Sequence, residues 1–250
     1  MTLPHWHHLV LAAVLTLFLA VLHIFFFVVR RLEAMNRVRV SSFTSGLIVA
    51  YVFLHMLPAL VEAKESIHKL VAGNAYFSNA DDLIIFLMAL IGFEIFYCVE
   101  HFTIHKNKRN TMTLSRSCKI NMVNYFCYNF FIGYSILISL QASIYYTVVF
   151  VIAIGLHFIA EDDLFTDEFK ELFTYKSRLI LIAGLFIGFI VSILLYPVRL
   201  YVALLIALLC GAILYNAFKE EFTDRGQSSV AWFILGSVLM TILLGLDLST

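Results

Sequence analysis

IYYTVVFVIAIGLHFIA, residues 144–160, followed at once by Glu161, Asp162 and Asp163, decides the class of this chain. The run is continuous and apolar, close to the roughly 20 residues that cross a bilayer as a helix. A transmembrane strand would show about ten residues of alternating character instead. In hydrocarbon the backbone must satisfy its own hydrogen bonds, which a helix does within one segment. The chain as a whole agrees: its 250 residues are 62% hydrophobic and 14% charged, against about half and about a quarter in soluble domains. Mean hydropathy is +0.92. The formal net charge of zero, from 17 basic and 17 acidic residues, argues against nucleic acid as a partner.

Seven further runs of the same kind surround this one. They lie at residues 9–29, 43–61, 83–99, 123–140, 179–196, 200–218 and 230–246, making eight expected spans and an all-α, multi-pass class in one membrane domain over 1–250. Gln141, Ala142 and Ser143 are read as a tight hairpin between the fourth and fifth spans. The first span is not a cleaved leader. No Lys or Arg precedes it, and Arg30 with Arg31 follows it where small residues would be expected. With the N-terminus outside, Arg30, Arg31, Arg37, Arg39, Lys106, Lys108, Arg109, Arg116, Lys119, Lys170, Lys176, Arg178, Lys219 and Arg225 fall in the cytoplasm. Only Lys64, Lys69 and Arg199 fall outside. That asymmetry follows the positive-inside rule and puts both termini outside, in a plasma or inner membrane. Residues 101–120 form a basic cytoplasmic loop. Residues 162–178 form an acidic amphipathic cytoplasmic segment, in which Asp162, Asp163, Asp167, Glu168 and Glu171 alternate with apolar residues. The four cysteines have neither disulfide nor zinc-finger spacing.

Polar groups inside spans are costly and mark interiors or pathways. They are His23, His55, Glu94, Asn129, His157 with Glu161, and Asn216. His157 and Glu161 are four residues apart and share a helix face. An imidazole nitrogen and a carboxylate oxygen at that spacing can chelate zinc or a neighbouring divalent ion, or can hydrogen-bond to pack helices together. On the fourth span Asn121, Asn124 or Tyr125, and Tyr128 with Asn129 recur at helical spacing, lining a wet route or bonding to another helix. His55, just before Met56, Leu57 and Pro58, either receives a cation or bonds a carbonyl freed by the proline. Gly184 and Gly188 make a close-packing GxxxG. His5, His7 and His8 cluster around Trp6 at the outer end. A hydrolase would need about three protein ligands on zinc and no HExxH-type pair occurs, so no enzyme and no organic cofactor is expected.

These motifs, in this order, resemble the ZIP (Zrt/Irt-like) family of divalent-metal transporters over nearly the whole length after the first span. SGLIVAYVFLHMLP at Ser45–Pro58 is similar to the family's second helix and IIFLMALIGFEIFYCVEH at Ile84–His101 to its third. YNFFIG at Tyr128–Gly133 stands in place of the fourth-helix motif, and HFIAED at His157–Asp162 in place of the fifth. GAILYNAFKEE and WFILGSVLMTILL resemble the last two helices. The resemblance implies a 3+2+3 helix arrangement with a metal site on the fourth and fifth helices, and a homodimer by analogy. It implies Asn129, His157 and Glu161 as metal ligands, with His55, Tyr128, Asn124 and Asp162 along the pathway. Tyr128, Ile132 and Phe158 stand where the family carries a ligand His and two carboxylates, and Asp162 replaces a Gly. The expected function is movement of a zinc-like divalent cation, as substrate, toward the cytoplasm. The alternative is a transport-inactive ZIP-like scaffold or metal sensor in which His157 and Glu161 are a packing pair.

Overall fold

The computed structural model describes residues 5–31, 37–62, 81–108, 113–194, 199–223 and 228–247. Lys64, Lys69, Arg109 and Arg225 of the charge count lie outside these described residues. The described chain is helical: α1 Trp6–Arg31, α2 Arg37–Tyr51, α3 Leu57–Glu62, α4 Asp81–Lys108, α5 Leu114–Ala142, α6 Ile144–Phe169, α7 Tyr175–Leu194, α8 Arg199–Thr223 and α9 Val230–Asp247. Six segments are long and apolar enough to cross a membrane. Ala203–Lys219 and Val230–Leu246 are shorter apolar helices. The chain is therefore a multi-pass helical membrane protein.

Local chemistry sets the boundaries. Ser143 is extended (φ −159°, ψ 128°); its N–H bonds Ser139 O to close α5, and its hydroxyl accepts from the Tyr146 N–H at 3.3 Å to open α6. The turn between the two spans is thus this single residue, with Gln141 and Ala142 still helical. Much of the basic 101–120 segment is helical too, as the end of α4 and the start of α5. Thr113 caps α5 through its hydroxyl and the Arg116 N–H. In the acidic segment, α6 runs on to Phe169 and a 3₁₀ turn, Lys170–Leu172, leads toward α7. Between α2 and α3 the helix widens into a π turn, Val52–Met56, closed by Leu57 N–H on Val52 O. Pro58 has no N–H to offer the turn before it, and a π turn absorbs such a misfit.

The helices sort by packing into two groups. One contains α1, α5, α6 and α7; the other contains the α2–α3 rod, α4, α8 and α9. Three parallel pairs are the tightest: α5 with α7, α2 with α9, and α4 with α8. All three use one device. A Cβ on Gly46 would overlap the carbonyl oxygen of Phe233, and one on Gly236 that of Phe43. Gly92 meets Leu208 O while Gly211 meets Ala89 O, and Gly133 meets Leu185 O while Gly188 meets Phe130 O. In each case the oxygen belongs to the residue three before the partner's glycine. The missing side chains let two backbones touch, which is how membrane helices gain contact when lipid removes the hydrophobic drive between them.

Gly211→Val would drive a side chain into Ala89 O and Phe93 N. We expect it to cost about 1–3 kcal/mol or more, the range for overpacking. Gly245→Val, at a position with nothing within 4 Å, should be near neutral. Reversible unfolding in mixed detergent micelles compares the two.

Candidate functional site

Asp162 follows Glu161 directly, and a helix turns about 100° per residue, so the two carboxylates leave α6 in different directions. Asp162, in line with Phe158 one turn earlier, faces α1. There the Phe158 ring stacks on His23 at 4.5 Å and Asp162 Oδ2 lies 3.1 Å from His23 Nδ1. The other ring nitrogen, Nε2, is 3.1 Å from Asn129 Oδ1 on α5. Arg178 enters from α7: its Nη1 donates to Asp162 Oδ2 at 3.0 Å and to the His23 carbonyl at 3.1 Å, and Nη2 donates to Thr166 Oγ1 at 3.3 Å. The Thr166 hydroxyl donates in turn to Asp162 O. Four helices thus meet in one polar knot, with His23, Asn129, Asp162 and Arg178 all buried.

Donors and acceptors in this knot constrain one another. Asn129 Nδ2 donates to the Tyr125 carbonyl at 2.9 Å. A carbonyl can only accept, so the amide is held with its oxygen toward His23. Both ring nitrogens of His23 therefore face oxygen acceptors.

Glu161, in line with His157, belongs to a second buried set. Lys219 of α8 lies 3.0 Å from Glu100 Oε2 of α4, donates to the Tyr125 hydroxyl at 3.3 Å, and sits over the Tyr125 and Phe165 rings. Glu161 and Glu168 are near enough for their charges to act on it. Nearby, Asn121 Nδ2 donates to Thr103 Oγ1 at 3.4 Å. His157 is buried beside Tyr128, ring centres 6.3 Å apart.

The residues expected from the sequence are thus divided. Asn129 and Asp162 join the His23 knot; Glu161 lies toward Lys219. Tyr128 packs edge-on against Phe96, His157 and Phe158. Ile132 and Phe158 are fully buried, and Asn124 is buried on the same helix as Asn129. Among the described residues no three His, Cys, Asp or Glu side chains converge closely enough to hold a metal ion. His55 lies elsewhere. It is half-buried on the π turn against Tyr146, and it lines a cavity with Ser135, Ser139, Ser143, Thr147 and Phe150. Ser135 lies six positions beyond Asn129 on α5, about 9 Å of helix, and Ile132 falls between. Glu94, counted among the polar groups of the spans, is exposed on the outer side of α4.

Arg178, Lys219 and Glu100 escape sequence reading, the first two because they look like cytoplasmic charges at span ends. The available signal is their opposite sign to acidic residues at the same ends of other spans.

Because Arg178 is buried in the ion pair, Arg178→Met should destabilise by about 3–5 kcal/mol, leaving Asp162 without its guanidinium. Arg178→Met with Asp162→Leu should recover a large part of that loss. A double-mutant cycle on unfolding in micelles reads the coupling, and additive losses would contradict it.

No protein-family model matches this chain, and no curated protein matches it.

Proposed function

We propose that this is a ZIP-like, eight-span membrane protein with both termini outside and a 3+2+3 arrangement, acting as a transport-inactive scaffold. One observation carries the reading: Asn129 and Asp162 are already engaged by side chains of the protein itself, His23 and Arg178. Asn129 is a ligand position by resemblance, and its oxygen turns toward a histidine nitrogen. For a divalent cation to take that oxygen, the His23 contact must break, and the ion must then sit within reach of the fixed charge of Arg178. Lys219 likewise supplies a tethered ammonium where Glu161 and Glu100 would otherwise attract a cation. Ile132, apolar and buried, falls between Asn129 and the Ser135 of the cavity at His55 along α5. The two positive side chains give the acidic residues a permanent counter-charge, and the helices a polar reason to stay together. The parallel pairing of α2 with α9 and of α4 with α8, the second helix of one triplet against the third of the other, by one glycine device fits two related helix triplets.

A second reading has its own support. Within a mostly apolar lining, the His55 cavity bears an imidazole and the hydroxyls of Ser135, Ser139, Ser143 and Thr147, groups that a divalent cation could meet on entry. On this reading a zinc-like ion passes from there to His157 and Glu161 and leaves toward the cytoplasm past Asp162.

Zinc, manganese and cadmium uptake into vesicles holding the purified protein separates the two. The scaffold reading expects rates equal to those of protein-free vesicles. Uptake well above that level, lost in Glu161→Gln and His157→Ala, would replace it with the transport reading.

A further inference from the structure

The span Leu83–Thr103 of α4 carries a carboxylate near its middle, Glu94. Unlike Glu100, Glu161 and Asp162, it is turned outward and exposed, and no hydrogen bond or ion pair among the described residues involves it. Its neighbours on that face are apolar: Leu83, Leu87 and Leu90 toward one end, at helical spacing, with Tyr97 following. An ionisable group in this position is expensive in hydrocarbon, and the cost is relieved by a hydrogen-bonding or oppositely charged group at the same depth. The protein's own buried cations are committed elsewhere, Arg178 to Asp162 and Lys219 to Glu100.

We infer that the outward face of α4 around Glu94 docks a transmembrane helix of another protein that carries a Lys or Arg at mid-depth. Charge complementarity selects this occupant over a second copy of the chain. Copies sharing one membrane orientation meet at equal depth, so paired α4 helices would oppose Glu94 to Glu94. The other described outward faces carry no charged side chain at mid-span, as at Leu17 on α1, Ile187 on α7 and Val238 on α9. Arg39, Arg116, Lys119 and Lys176 stand near helix ends. His101 shares the α4 face but lies two turns away, about 10 Å along the axis. Docking at Glu94 does not depend on whether the central site moves metal.

The test uses the full chain, fluorescently labelled and reconstituted in phosphatidylcholine vesicles, with a synthetic leucine–alanine transmembrane helix bearing one central Lys. An otherwise identical helix with Leu in place of Lys is the comparison. Energy transfer should report association of the Lys helix with the wild type at least about ten-fold stronger than that of the all-apolar helix. Glu94→Leu should abolish the difference, and Glu94→Gln, which keeps the shape and removes the charge, should weaken it. Equal association of the two helices, or association unchanged in Glu94→Leu, overturns the proposal. So does Glu94-dependent self-association of the chain without added helix, which would put a second copy on this face.

Discussion

Backbone-to-backbone contact at glycine is the constraint on which the arrangement of helices depends. In water, helices associate because apolar faces leave solvent; in a bilayer the tails are as apolar as the faces, and that drive is absent between helices. What remains is close approach. Gly46 and Gly236, Gly92 and Gly211, and Gly133 and Gly188 provide it with the same offset of three residues in three parallel pairs. Each contact sets both the separation and the register of two helices, since sliding by one turn would bring a side chain against the carbonyl. The glycines therefore decide which residues of one helix stand opposite which residues of the next.

That register is what brings the buried charges together. Glu100 and Lys219 lie on α4 and α8, which Gly92 and Gly211 hold in contact. Asn129 and Arg178 lie on α5 and α7, joined at Gly133 and Gly188, and α1 and α6 complete the knot with His23 and Asp162. An ion pair in a low-dielectric interior is favourable only if its geometry is good and its remaining hydrogen-bonding capacity is filled. Arg178 has three different oxygen partners for its two terminal nitrogens, and Phe173 covers its guanidinium at 4.8 Å. The tight backbone pairs and the charge pairs are thus one design: the first supplies the precision that the second requires.

The fold class was legible because length and apolarity of a run decide whether it spans, and both are local properties. The six long segments and two shorter apolar helices fall on the eight runs read from the sequence. The site was legible only in part. Helical periodicity places His157 with Glu161 on one face, but it does not say which helix stands opposite. Asp162, one residue on, looks in sequence like the start of a solvated acidic segment, yet it is buried against Arg178. Arg178 itself, at the beginning of α7, is indistinguishable in sequence from an ordinary interfacial arginine; its inward course depends on a carboxylate 16 positions earlier. Glu94 shows the converse. A carboxylate inside an apolar run suggests an interior position, but the azimuth of α4 is set by Gly92 packing on Leu208, and that turns Glu94 outward. Of the glycine contacts, the GxxxG at Gly184 and Gly188 could be seen in one helix. The other pairs are shared between distant helices and have no local signature.

The two helix groups meet where α2 packs on α6 and α4 on α5. Across their boundary run side-chain hydrogen bonds: Tyr145 OH to Leu243 O at 2.6 Å, Tyr51 OH to Tyr146 O, Asn121 to Thr103, and Lys219 to Tyr125. The His55 cavity lies on the same boundary, with Tyr51, His55, Met56 and Ala59 on one side and Ser135, Ser139, Tyr146 and Thr147 on the other. Such bonds are individually worth about 0.6 kcal/mol between membrane helices, and no glycine contact of the three pairs crosses the boundary. Displacement of one group against the other would leave the His23–Asp162–Arg178 knot intact, because all its members belong to one group. It would instead break Lys219 from Tyr125 and move it away from Glu161. The two buried cations accordingly have different standing: Arg178 holds a group together, and Lys219 reports whether the two groups are in register.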